Sequence, residues 1–177
     1  MNHAGVETIA VAPMGNEDLA FTYVLPEGWQ PAEVSAEAPD FDNPKYFLPA
    51  AVAIAASGDA AFTVGVRPAY EDGTLRQWLE WLCGEDNIEI HEMSEFAAGQ
   101  IRGYLFDATQ SADGGTMRMC NLYVEDGGRL YAISTMAAPE NYGPIQFSMA
   151  SIAASFRLAA VHGPTVSLAP EQAASGE

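Results

Sequence analysis

Between residues 88 and 137 four runs of alternating or apolar residues are joined by three short, glycine-bearing connections. The runs are Ile88 to Phe96, Ile101 to Thr109, Thr116 to Val124 and Leu130 to Ala137. The connections are Ala98-Gly99, Ser111-Ala112-Asp113-Gly114-Gly115 and Glu125-Asp126-Gly127-Gly128. Glycine supplies the positive φ that tight reversals require, and loops this short leave no room for a parallel crossover. The pattern therefore predicts an antiparallel meander, with Tyr104, Phe106, Leu122, Tyr123, Tyr131 and Ile133 supplying bulk to the sheet.

Upstream, Val6, Ile9 and Val11 suggest a short first strand before Pro13 and Leu19 to Leu25 a second, stopped by Pro26-Glu27-Gly28-Trp29. Pro31 to Pro49 reads as a long surface loop rich in Pro, Asp and Glu. Ala50 to Ala56 and Ala61 to Arg67 read as a hairpin about Ser57-Gly58-Asp59, with Phe62, Val64 and Val66 on one face.

The first helix has a readable start. Thr74 caps it, Gln77 completes a capping box, and Leu75, Trp78, Leu79 and Leu82 form one apolar stripe. Gly84 is the expected stop. A second helix opens at Pro144 and carries Ile145, Met149, Ile152 and Phe156 on one side. The expectation is a single α+β domain over 1–158, a central antiparallel sheet flanked by helices, and a C-terminal tail over 159–177.

Charge narrows the partners. There are 24 acidic residues against 7 bases, a net charge of −17. Six of the bases are arginine and only Lys45 is lysine, all spaced singly along the chain. A nucleic-acid binder needs clustered cations to displace counterions, so nucleic acid is excluded as a partner, and an anionic membrane surface is disfavoured for the same reason. No run reaches the roughly 20 apolar residues of a spanning helix, so no membrane insertion is expected. No basic and apolar leader is readable at Met1 to Glu7, so the expected compartment is the cytoplasm, a trimmed leader being compatible with the same sequence. Surplus carboxylates keep a protein soluble and steer basic partners toward it.

Catalytic and metal-binding patterns are not found. Cys83 and Cys120 read as buried thiols; with His3, His91 and His162 scattered, no zinc spacing arises. The Asp-Gly steps are turn chemistry, without the alternating oxygen ligands of a calcium loop. Neither a Gly-x-Ser-x-Gly elbow nor a Lys-bearing phosphate loop occurs, and no cofactor is implied. Glu89 and His91 share a strand face with Met93 if alternation holds, with Ile90, Glu92 and Ser94 opposite; paired, Glu89 would raise the imidazole pKa, although a solvated face is the plainer reading. Trp29, Trp78, Tyr131 and His91 are the candidates for lining a small-ligand pocket.

The order of these marks resembles the PsbP/Mog1-like superfamily: Leu25-Pro26-Glu27-Gly28-Trp29, then Leu75 with Trp78-Leu79, Gly103-Tyr104, Arg129-Leu130-Tyr131-Ala132-Ile133 and Ala154-Ser155-Phe156. The resemblance spans roughly residues 17–158. It implies an α/β/α sandwich and a role in binding other proteins, as in photosystem accessory proteins, a regulator of a nuclear-transport GTPase, and bacterial cytoplasmic chaperones for secreted effectors. No functional residue of those branches carries over. The function expected is a non-enzymatic protein-binding module, extending to a chaperone or adaptor that holds a basic or apolar segment. The alternatives are a small-ligand binder, or an immunity or inhibitor protein whose acidic loops cover a basic site. A homodimer through strand edges near residues 50–56 is a further expectation.

Overall fold

A computed structural model describes residues 7–35, 38–98 and 101–158. Along them run β1 (Glu7–Val11), β2 (Phe21–Leu25), β3 (Trp29–Ala32), β4 (Leu48–Ala55), β5 (Ala60–Pro68), α1 (Leu75–Glu85), β6 (Ile88–Ala98), β7 (Ile101–Ala112), β8 (Gly115–Asp126), β9 (Arg129–Ala137), α2 (Tyr142–Ser155) and β10 (Arg157–Leu158). The meander closes onto the upstream hairpin. Strands order as β3-β4-β5-β9-β8-β7-β6 in one seven-stranded sheet, every pair antiparallel. A three-stranded sheet, β1-β2-β10, stands apart from it.

Alternation then assigns the layers. Phe62, Val64 and Val66 of β5 point to the same side as Leu122, Val124, Tyr131 and Ile133, where they meet Phe21, Tyr23 and Leu25 of β2 and Ile145, Met149 and Ile152 of α2. On the opposite side α1 lays Trp78, Leu79, Leu82 and Cys83 against Phe106, Ala108, Met119 and Leu130. Each such side chain contributes about 1.5–3 kcal/mol when fully buried, which holds both helices to the sheet far more firmly than propensity would. The result is an α+β sandwich with its sheet in the middle layer.

The cap of α1 is as the sequence predicts: Gln77 N–H donates to Thr74 Oγ1 at 3.2 Å, and Thr74 N–H donates to Gln77 Oε1 at 3.0 Å. Its end is not. Gly84 lies inside the helix, which runs to Glu85, and the left-handed residue is Asn87 at φ 53°. Asparagine tolerates that region better than other side-chain-bearing residues, so it can end a helix where glycine is expected.

Three further expectations change. Trp29–Ala32 is a strand rather than the start of a loop; Pro31 is tolerated because β3 is an edge. That pairing covers Val52–Ala55 of β4, so the outer edge there is β3 and not the 50–56 strand itself. In β6 the register shifts between Ile90, opposite Ala108, and Glu92, opposite Asp107, which makes His91 a bulge. Met93 consequently rejoins Ile90 against the α1 core instead of sharing a face with Glu89 and His91. Of the expected tail, residues 159–177 lie outside the described residues; Arg157 and Leu158, just before it, pair with β2.

Candidate functional site

All seven cations have contacts within the chain. Lys45 Nζ sits 2.5 Å from Asp86 Oδ1, Arg76 Nε 3.0 Å from Glu80 Oε1, Arg118 Nη2 2.6 Å from Asp107 Oδ1 and Arg129 Nη2 3.1 Å from Asp126 Oδ2. Arg67, buried, donates to the carbonyls of Asn43, Pro44 and Tyr46 and lies 4.2 Å from the Tyr70 ring centre. Arg102 and Arg157 donate to the Ile101 and Ala154 carbonyls, both at 2.9 Å. Most of the 24 carboxylates are exposed. The outward field is therefore acidic: Arg67 and Arg129 are buried holding loops, while Arg76, Arg102 and Arg157 are exposed singly among the carboxylates.

Against that field α2 is an exception. Its 14 residues, Tyr-Gly-Pro-Ile-Gln-Phe-Ser-Met-Ala-Ser-Ile-Ala-Ala-Ser, contain no charge. Tyr142, Ile145, Met149, Ile152 and Ala153 are buried, while the outer face is uncharged, mostly small residues with Gln146, and Phe147 at its crest is 80% exposed.

The helix is held between two acidic flanks. On one, Arg118 bridges β7 and β8 to α2: it pairs with Asp107 and stacks 4.4 Å from the Tyr142 ring centre, and Gln146 Nε2 donates to Asp107 Oδ2 at 3.4 Å. That hydrogen bond to Asp107 raises the Arg118 pKa above its ordinary value. Glu92, Ser94, Asp107 and Gln146 line a hollow of about 150 Å³ there. On the other flank Trp29 Nε1 donates to Ser148 Oγ at 3.1 Å, tying β3 to α2 beside a groove of about 410 Å³ lined by Glu27, Asp59 and Glu140. A more open groove of about 640 Å³ lies elsewhere, between the start of α1 and the β6–β7 and β8–β9 ends, lined by Leu75, Glu95, Arg102, Tyr104 and Glu125.

The four aromatic and histidine candidates are not brought together. Trp29 lines the groove beside α2. Trp78 is buried under α1, stacked on Tyr70 with centroids 4.6 Å apart. Tyr131 is wholly buried on the opposite side of the sheet, its hydroxyl donating to the Leu19 carbonyl at 3.1 Å, and burial pushes its pKa up to about 12. His91 is exposed on edge strand β6, with Nε2 2.6 Å from Thr109 Oγ1 and Nδ1 4.0 Å from Glu89 Oε1. These side chains belong to different layers and opposite edges of the sheet, so they line no common pocket.

Nucleophilic chemistry finds little support. Burial pushes both the Cys83 and the Cys120 thiols up to about 11, far from the thiolate form at neutral pH. Among the described residues no group of three or more His, Cys, Asp or Glu could hold a metal ion, and no helix is long and apolar enough to cross a membrane. Phe147, Arg118 and Asp107 are the site residues that sequence reasoning missed. The available signal was a charge-free stretch from Tyr142 to Phe156 in so acidic a chain.

No protein-family profile and no curated protein matches the sequence. Solved structures do match its architecture. Cyanobacterial PsbP from Synechocystis aligns with a TM-score of 0.58 at 11% identity, covering 89% of this chain and 96% of its own. LpqN of Mycobacterium tuberculosis, involved in cell envelope biogenesis, gives 0.59 at 11%, over 90% and 93%. The Ran-binding protein Mog1p of Saccharomyces cerevisiae gives 0.57 at 11%, over 88% and 97%. The chain is thus an α+β sandwich of the PsbP/Mog1-like fold. At this identity what is shared is the fold.

Proposed function

We propose that this chain is a non-catalytic protein-binding module whose partner presents a basic surface. The observation that carries the reading is the excess of exposed carboxylates over exposed bases, with each of the seven cations also in contact with groups of its own chain. Such a surface accelerates encounter with a cationic partner and repels acidic ones. That Mog1p, with the same fold, is a Ran-binding protein supports the kind of role and says nothing of the partner.

Within this reading, an adaptor or immunity-type role against a folded basic protein fits better than a chaperone for apolar segments. A chaperone needs a contiguous apolar channel, whereas among the described residues the exposed large hydrophobics Met14, Ile54, Trp81, Met117 and Phe147 fall on separate elements. The test uses the full chain, immobilised, to capture proteins from extract of its own organism. Captured proteins are identified, purified and titrated against the chain at about 50 and 500 mM salt, on either side of the range where screening sets in. The expected partner is basic and its Kd rises at least tenfold across that range. An acidic partner, or affinity indifferent to salt, refutes the reading.

A further inference from the structure

We infer that the outer face of α2, with the carboxylates on its two flanks, is the docking surface, and that its occupant is an exposed helix of a folded basic protein, its apolar stripe bordered on both sides by Lys or Arg. This rests on the protein-binding reading and assigns it a place. Successive residues of a helix turn by about 100°, which sends Gln146 to one flank, Ser148 to the other and Phe147 outward between them. Gln146 borders the hollow that holds Glu92 and Asp107, the latter already paired with Arg118; Ser148 borders the groove that holds Glu27, Asp59 and Glu140. The surface is an uncharged ridge carrying Phe147, with Glu27, Asp59 and Glu140 along one side and Glu92 beside the Arg118–Asp107 pair along the other.

Size and charge select the occupant. A helix of 14 residues is about 21 Å long and about 10 Å wide, so its outer face offers roughly 200 Å². Specific interfaces bury about 800 Å² per partner, so an occupant must extend beyond the ridge into both troughs. Anything doing so meets carboxylates on each side. A second copy of this chain would bring Glu27, Asp59 and Glu140 against the same groove or against Glu92, with the Arg118 charge already taken up by Asp107. A Lys- or Arg-bordered stripe neutralises both troughs and covers Phe147, the kind of exposed aromatic that anchors interfaces.

The probe is a synthetic amphipathic helix of leucine and lysine, with a scrambled peptide of the same composition as control, titrated into the full-length, isotope-labelled protein. Amide shifts are expected to centre on residues 143–154 and the Trp29 indole. The scrambled peptide should bind at least tenfold more weakly, Phe147→Ala should weaken binding about tenfold or more, and Met117→Ala should leave it unchanged. Phe147 is 80% exposed, so its variant keeps the fold. Replacing Asp59 and Glu140 by Asn and Gln should weaken binding and flatten its salt dependence. Shifts centred on another face, or full affinity in Phe147→Ala, overturn the assignment and leave the broader protein-binding reading standing. A dimer that Phe147→Ala dissolves gives the surface to a second copy and also overturns it. Failure of the probe together with failure to find a basic partner removes both.

Discussion

Two glycine-to-alanine changes should move stability in opposite directions. Gly103, buried in β7, lies opposite Val124 on β8 and Phe96 on β6. A methyl there would stand 1.8 Å from the Tyr123 carbonyl oxygen and 2.9 Å from the Val124 Cα. Ordinary contact begins at 3.4 Å, so the strands must part by roughly 1.6 Å, beyond the reach of a ladder hydrogen bond. Leaving two buried ladder groups unpaired costs about 1–3 kcal/mol each, so Gly103→Ala should lose about 4 kcal/mol. Gly84 lies within α1 with open space around its Cβ position. There alanine removes only backbone freedom from the unfolded chain, and Gly84→Ala should gain about 0.5–1 kcal/mol. At about 2–4 °C per kcal/mol for this length, thermal melts followed by circular dichroism should show Tm falling by about 10 °C or more and rising by about 2 °C. A Gly103→Ala protein melting within about 1 °C of the parent would refute the close approach of β7 and β8 on which the argument stands.

Thr74→Ala removes the acceptor for the Gln77 amide and should lower Tm by about 2–4 °C, a loss near 1 kcal/mol; an unchanged melt would mean α1 does not depend on its cap. Arg129→Lys keeps the charge but loses the forked contact to the Asp18 carbonyl and to Asp126, and urea titration should find it about 2 kcal/mol less stable, neutrality counting against the clamp. Cys83 and Cys120 should resist a thiol reagent at neutral pH and react once the chain is unfolded in urea, rapid native labelling arguing against their burial. Burial raises both thiols from 9.0 to about 11 and Tyr131 from 10.0 to about 12. Their contribution to stability is therefore complete below pH 9 and falls away as pH rises toward 12. Unfolding free energies measured across that alkaline window should decline; a flat profile contradicts the shifts.

Local signals gave the sequence reading its successes. The Thr74–Gln77 box and the Leu75-to-Leu82 stripe define α1 within one turn, and the glycine-bearing connections mark the meander. What escaped depends on distant neighbours. β3 carries a proline and β10 has two residues, so neither has a pattern; each is a strand only because β4 or β2 lies alongside. The bulge at His91 sits in Glu-Ile-His-Glu, where alternation alone does not reveal a change of register. Arg67 and Arg129 resemble surface cations in the sequence but are buried among carbonyls supplied by remote loops. For the site, the charge-free run of α2 was visible, and its meaning needed the acidic flanks contributed by β6, β7 and the β4–β5 turn.

The pairing of β5 with β9 has a consequence for biosynthesis. Pro68 lies opposite Arg129, so β5 leaves the ribosome about sixty residues ahead of its neighbour, roughly 3–12 s at ordinary elongation rates. During that interval Phe62, Val64 and Val66 sit on an open ladder. The nascent N-terminal half, with eight acidic residues before its first base, repels its own copies on neighbouring ribosomes, so the early excess of negative charge protects the chain before it can protect itself by closing the sheet.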